Sequence, residues 1–226
     1  MKITYLGHNS LWIETKNHKI MVDPFISANP MNDEIKTSQF HPDYILLTHA
    51  HEDHVADVEN LATLGNSKII SNFEIVTYYG KKGYQGHGMN TGGSFDFPFG
   101  RLTSVVAHHS SVFPDGTYGG NPNGYVLQAD GRTIYIAGDT ALTYDMKLIP
   151  LLCGKIDLAI LPIGDNFTMD AQAATMAADF VECDKVLGCH YDTFPPIKID
   201  HESAKEIFKA ANKELLLLGI GESMDV

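Results

Sequence analysis

A chain of 226 residues with 16 basic and 28 acidic side chains carries a formal charge of -12, which argues against a general electrostatic grip on nucleic acid or anionic lipid. The length supports a substantial core and no low-complexity or Pro/Ser-rich stretch divides it, so one domain over residues 1–226 is expected. The start, Met1 to Gly7, lacks the apolar core of a secretory signal, and no run reaches membrane-spanning length. The three cysteines, Cys153, Cys183 and Cys189, have neither disulfide-framework nor zinc-knuckle spacing. These features give the expectation of a cytoplasmic protein acting on a small molecule, with self-association open and neither nucleic acid nor membrane as partner.

In chain order, Lys2 to Leu6, Ser10 to Glu14 and Lys19 to Val22 are short β-rich runs broken by Gly7-His8-Asn9 and Lys16-Asn17-His18, the pattern of an antiparallel meander. Asp23-Pro24 ends the third run. The apolar run Tyr44 to Leu47 then leads into Thr48-His49-Ala50-His51-Glu52-Asp53-His54. Val55, Val58, Leu61, Ala62 and Leu64 follow at helical spacing, and Lys68 to Ser71 reads as a strand. Residues 80–100 are glycine-dense with little pattern. Leu102 to Ala107 is a strand ending in His108-His109-Ser110-Ser111, and Phe113 to Asn123, with three glycines and two prolines, is expected as a loop over the site. Tyr125 to Gln128 and Thr133 to Ile136 flank Asp130-Gly131 as a hairpin, the second strand ending in Gly138-Asp139-Thr140. Leu158 to Leu161 is a strand, and Asp170 to Val181 a helix with Asp170 as N-cap. Lys185 to Gly188 runs into Cys189-His190-Tyr191-Asp192. A helix from His201 to Ala211 and a strand over Leu215 to Leu218 complete the series. A β-rich segment followed by β/α units occurs twice, which fits two mixed sheets packed face to face with helices outside.

The block at residues 49–54 carries the chemistry. Three imidazoles and a carboxylate within six residues suit zinc and similar first-row metals, and His49 and His51, one residue apart in extended backbone, point the same way. His109, Asp139 and His190 also follow short apolar strands, so loops at one sheet edge would gather all of them. In this arrangement His49, His51 and His109 hold a first ion, Asp53, His54 and His190 a second, and Asp139 bridges the two.

The chain resembles the metallo-β-lactamase superfamily and, within it, a family of largely uncharacterised metal-dependent hydrolases. The matching motifs are Gly7-His8-Asn9-Ser10, Asp23-Pro24, the His49 to His54 block, Ala107 to Ser111, Gly138-Asp139-Thr140, Phe167-Thr168-Met169 and His190 to Pro195. The resemblance implies an α/β fold, the four-layer αββα sandwich of two mixed sheets, with metals at one sheet edge. Where small residues usually separate the ligands of the first block this chain has Ala50 and Glu52, and Asp192 stands where Asn is usual. Glu52 adds a charge beside the ions that bears on the entry of an anionic substrate.

The expected activity is hydrolysis of an ester-like bond, lactone or phosphodiester in class, by water activated between two divalent ions. Zinc is the expected metal, with manganese, iron and nickel as alternatives. Asp53 would orient the attacking oxygen, with His8, Tyr191 or Thr193 as donors to the developing anion. The alternatives are a non-haem diiron redox enzyme of the same fold and a metal-binding protein without catalysis. Retention of His51, which oxygen-reducing diiron relatives replace by a carboxylate, favours hydrolysis. His108 should face away from His109, and a register change of one residue would exchange them. Asp23 is expected behind the ligands, Cys189 as a buried small hydrophobe, Phe167 and Met169 as packing residues, and His18, His41, His87 and His201 as solvent-facing.

Overall fold

The computed structural model describes residues 1–226. Fourteen strands form two seven-stranded sheets. The first contains β1 (Lys2–Tyr5), β2 (Leu11–Glu14), β3 (Lys19–Val22), β4 (Tyr44–Leu46), β5 (Lys68–Ser71), β6 (Gly86–Gly88) and β14 (Ser223–Asp225), in the order β14-β1-β2-β3-β4-β5-β6. The second contains β7 (Ser94–Phe97), β8 (Gly100–Val106), β9 (Asn123–Ala129), β10 (Arg132–Ile136), β11 (Leu158–Pro162), β12 (Lys185–Cys189) and β13 (Glu214–Leu216), in the order β13-β12-β11-β10-β9-β8-β7. Six helices accompany them: α1 (Glu52–Val55), α2 (Val58–Gly65), α3 (Phe73–Lys81), α4 (Leu148–Cys153), α5 (Ala171–Phe180) and α6 (His201–Ala210).

Strand alternation sorts the apolar residues into three layers of packing. Ile20 and Val22 of β3 and Ile134 and Ile136 of β10 point between the sheets, where they meet Leu46, Leu127, Leu158 and Ile160. Their neighbours Met21 and Ile45 face outward against Val58, Leu61 and Ala62 of α2 and Ile75 of α3. On the other side Tyr135 and Ala159 face Ala174, Ala177 and Ala178 of α5 and Phe208 of α6. The small side chains of α5 let that helix lie close on the sheet. The result is helices, sheet, sheet, helices, the αββα sandwich of the metallo-β-lactamase fold.

Each sheet is half antiparallel and half parallel. In the first, β14, β1, β2 and β3 pair antiparallel, whereas β3 through β6 pair parallel. In the second, β7 through β10 are antiparallel and β10 through β13 parallel. Direction therefore agrees among β1, β3 and β4 in one sheet and among β8, β10 and β12 in the other. The residues just after these six strands include His8, Asp23, His49, His109, Asp139 and His190, and this common direction is why distant positions arrive at one edge.

Several elements depart from the sequence reading. Helix α3 was not among the expected elements, because only Ile75 and Tyr79 are buried along it while Phe73 at its start is exposed. The helix expected from Val55 is interrupted at Ala56-Asp57, where Asp57 accepts hydrogen bonds from Ile26 N (2.6 Å) and Ser27 N (2.9 Å). Strands β6, β7 and β14 are short or glycine-rich, and β9 begins at Asn123 inside the expected loop. His87, expected in solvent, packs on Phe95 and Phe97 with ring centroids 4.3 and 4.9 Å away. No helix is long and apolar enough to cross a membrane.

Ile136 is fully buried between the sheets two residues before the Gly138-Asp139 corner. Ile136→Ala is expected to cost about 2–5 kcal/mol through lost burial and a residual cavity, read as a shifted urea midpoint with an unchanged slope.

Candidate metal centre

His49 leaves the end of β4 with its ring buried, and its Nδ1 lies 3.0 Å from Thr48 Oγ1. That hydroxyl donates to Asp23 Oδ2 at 2.6 Å, so it accepts from His49 Nδ1–H and leaves the lone pair of His49 on Nε2. His49 Nε2 sits 2.9 Å from His51 Nδ1. Two ring nitrogens that close require a proton or a cation between them, and the separation approaches the roughly 3.3 Å edge of a tetrahedron with 2.0–2.1 Å bonds. His109 closes this group, its ring centroid 5.1 Å from those of both His49 and His51.

His51 stands at the residue before α1 with its ring free of any capping bond, and the next turn of chain presents Asp53 and His54. His54 Nδ1 donates to Asp23 Oδ2 at 2.8 Å, which turns Nε2 toward Asp139 Oδ1, 3.5 Å away. Asp139 Oδ2 lies 3.0 Å from His190 Nε2 and 3.5 Å from His109 Nε2. One carboxylate thus faces three imidazoles from three elements. Gly138, at φ 62°, makes this approach possible: a Cβ there would stand 2.8 Å from Thr48 Cβ and Cγ2.

Three overlapping groups of side chains form, with ligand atoms in each within 4.8 Å of one another: His49, His51 and His109; His8, Asp53, His54 and His190; and Asp23, His49 and His54. With Asp139 facing His54, His109 and His190, the seven residues read from the sequence as metal ligands lie together, and His8 and Asp23 join them. His54 Nε2, Asp139 Oδ1 and both ring nitrogens of His190 are buried without hydrogen-bond partners. An orphaned buried polar atom costs about 1–3 kcal/mol, and His54 Nε2, His190 Nε2 and the Asp139 carboxylate, turned toward one another, form a donor set that fits divalent cations. The clusters are candidate sites for a dinuclear pair.

The charges of the chain agree with that arrangement. Burial drives His49 well below the ordinary imidazole value, helped by the positive side of His54. Burial would also lower His54, but the carboxylates of Asp139 and Asp23 outweigh it and hold that ring well above. Burial would raise Asp139, whereas His190 and His54 keep it well below the carboxylate range. Burial lowers His8 to about 4 despite its hydrogen bond to Asp53. Asp53 is held below its usual range because the bond from His8 and the charge of His54 outweigh its desolvation. An anionic Asp53 accepting from a neutral His8 satisfies both.

His8 Nε2 lies 3.0 Å from Asp53 Oδ2 and Nδ1 lies 3.0 Å from Thr193 Oγ1. With the proton on Nε2, the Thr193 hydroxyl donates to Nδ1, so both His8 and Thr193 stand behind Asp53 and neither lines the cleft. Tyr191 is a correction to the sequence reading. His190 adopts φ 54°, which breaks strand alternation, and Tyr191 packs into the core, its ring 6.3 Å from Tyr5. Burial pushes its hydroxyl above the ordinary phenol value, and it reaches no part of the cleft. His108 points away with its Nε2 3.6 Å from Asp145, and Cys189 is buried with Sγ 3.0 Å from Asn9 Oδ1, both as expected.

The cleft over these residues has a volume of 760 Å³. One side is formed by Val112, Phe113 and Pro114, the other by Phe167, Phe194 and Pro196. Phe167, read from the sequence as packing, is instead exposed at the mouth. Asp165 and Asn166 before it take φ of 61° and 54°, conformations that cost on the order of 1 kcal/mol or more and tend to be kept where they position something. Met169 is buried as expected. Opposite, Phe113 stacks on Tyr78 at 3.7 Å, fixing that wall to α3. Phe167 and Phe194 stand in motifs legible in the sequence and Phe113 and Pro114 in an expected loop, but their role as walls was not legible, since aromatics and prolines in loops have no spacing that tells which way they face.

A model of the Beta-lactamase superfamily domain matches residues 2–190. A UPF0173 metal-dependent hydrolase of Flavobacterium johnsoniae is 58% identical over 226 residues, all of both chains. The UPF0173 metal-dependent hydrolase YtkL of Bacillus subtilis is 42% identical over 231 residues, again all of both. Among solved structures, Igni18, a metallo hydrolase from the archaeon Ignicoccus hospitalis, superposes with a TM-score of 0.89 at 33% identity, covering 99% of this chain and 97% of its own. With the fold, the edge cluster and these relatives in agreement, the chain belongs to the metallo-β-lactamase superfamily and, within it, to the UPF0173 family of metal-dependent hydrolases.

Proposed function

We propose that the chain hydrolyses an ester-like bond, lactone or phosphodiester in class, with two divalent ions, zinc by preference, as resident cofactors. His49, His51 and His109 would hold one ion, Asp53, His54 and His190 the other, and Asp139 would lie between them. The observation that carries this reading is Asp139 facing three imidazoles amid four orphaned buried polar atoms. When bound, such a pair supplies Lewis acidity and lowers the pKa of a water to near neutrality.

The chain's own residues then have separate tasks. Asp53 presents one oxygen to the cleft while His8 fixes the other, so its orientation is set before substrate enters. Thr193 holds His8 in the tautomer that donates. Asp23 does the same for His54, keeping Nε2 turned to the centre, where a bound cation would displace the proton that the flanking carboxylates favour. The aromatic and proline walls exclude water from the flanks of the cleft and shape it for a small molecule.

Elemental analysis beside turnover before and after chelation tests the reading. Two zinc or manganese ions per chain with chelator-sensitive hydrolysis support it; coloured iron with no hydrolysis would point to redox chemistry, and no metal to a binding protein.

Asp139→Asn keeps the size and removes the charge that lets two cations sit together, so the ion count should fall toward one per chain. Turnover should fall far more than the melting temperature does. His109→Ala should also lose an ion, and His108→Ala should retain both. Asp23→Asn should weaken metal affinity about 10–100-fold, measured by chelator competition. Because it disturbs a buried network of four hydrogen bonds, the same change should lower stability by about 1–3 kcal/mol in a denaturant titration.

A further inference from the structure

Resting on the hydrolytic reading above, we propose that the substrate is an uncharged lactone or carboxylic ester bearing an apolar group beside the scissile carbonyl, and not a phosphate ester. The thirteen residues that line the cleft include no lysine or arginine. Sites for phosphate esters grip their anion with guanidinium forks, ammonium groups or a free helix N-terminus. The one helix that starts in this cleft, α1, carries Glu52 and Asp53 in its first turn, so carboxylates of the chain already occupy its positive end. Glu52 is exposed at the rim and adds a negative charge on the path of entry.

The positive charge of two divalent ions would be largely offset by Asp53, Asp139, a deprotonated water and Glu52. Little remains to attract a second anionic group. What the cleft offers beyond its polar floor is apolar surface on both sides. Val112 and Phe167 are large hydrophobic residues left exposed there, 42% and 54% respectively. Phe167 is presented by two consecutive left-handed residues, and the facing wall is anchored by the Phe113–Tyr78 stack. Both walls are therefore preformed to receive an alkyl or aryl substituent.

The reaction balances without a further reactant. Water oxygen bonds to the carbonyl carbon, the acyl C–O bond breaks, and one water proton passes to the leaving alkoxide. A lactone gives a hydroxy acid, and an open ester gives an acid and an alcohol.

The test uses the metal-loaded protein with four probes: a hexyl-substituted butyrolactone, the unsubstituted ring, a carboxylated analogue of the same ring, and bis(4-nitrophenyl) phosphate. Binding of the hexyl-substituted lactam and its unsubstituted parent, which resist hydrolysis, is measured in parallel by calorimetry. The expected order in kcat/KM is hexyl lactone, unsubstituted ring, then the two anions, with the hexyl chain worth at least roughly tenfold. Phe167→Ala should raise KM for the hexyl lactone about tenfold, a clearly larger rise than for the unsubstituted ring. Glu52→Gln should narrow the gap between the carboxylated and neutral rings. Faster turnover of the phosphodiester or of the carboxylated ring would overturn the proposal, as would lactam binding indifferent to the hexyl chain. If the hexyl lactam binds preferentially but none of the four probes is hydrolysed, it is the hydrolytic reading that fails, while the apolar selectivity stands.

Discussion

The structure depends on one buried carboxylate. Asp23, fully buried at the end of β3 with φ 40°, accepts hydrogen bonds from Thr48 N at 2.8 Å, Thr48 Oγ1 at 2.6 Å, Asn9 Nδ2 at 2.7 Å and His54 Nδ1 at 2.8 Å. A carboxylate without such partners would be costly to bury. Because its partners come from the β1–β2 turn, the end of β4 and α1, satisfying this one group fixes three loops relative to one another. The influence crosses to the second sheet: Asn9 also accepts from Cys189 of β12, His8 O accepts from His190 N at 2.7 Å, and Gly138 packs against Thr48. The side chains that face the cleft are thus aimed by contacts lying behind them.

Sequence and structure agree most closely where chemistry concentrates. Three histidines and an aspartate in six residues after an apolar strand cannot be mistaken for ordinary loop composition, and His109, Asp139 and His190 share the same context. The alternation that sets His109 inward and His108 outward holds in the folded chain. It fails two motifs later, where the left-handed His190 turns Tyr191 into the core; a non-glycine residue in that conformation leaves no mark in the sequence. Phe167 was legible as a residue but not as an exposed one, for the same reason: its placement follows from the backbone of Asp165 and Asn166. The layers could be inferred from alternating strands and alanine-rich α5, whereas α3, with two buried positions, lacks the periodicity that announces a helix.

An acidic chain that gathers carboxylates around a candidate cation pair looks self-defeating for anionic substrates, and that tension is informative. Asp139 and Asp53 lie where a positive pair would need them. Glu52 faces open solvent one residue from Asp53, so it acts outward, on whatever approaches. The floor of the cleft and its rim therefore set different conditions, one for the reacting atoms and the other for the flanks of the molecule that carries them.

The two sheets meet at the centre through residues far apart in the chain. His8 and His190 lie against each other with ring centroids 4.0 Å apart and planes tilted by 43°, although 182 positions separate them. A nascent chain exposes the His49 to His54 block long before β12 has been made, and until then those side chains lack the partners that aim and complete them. The centre is therefore complete only when both halves of the chain have packed together. A cation held there would tie loops of the two sheets to one another, so its binding would favour the docked arrangement over any in which the halves stand apart.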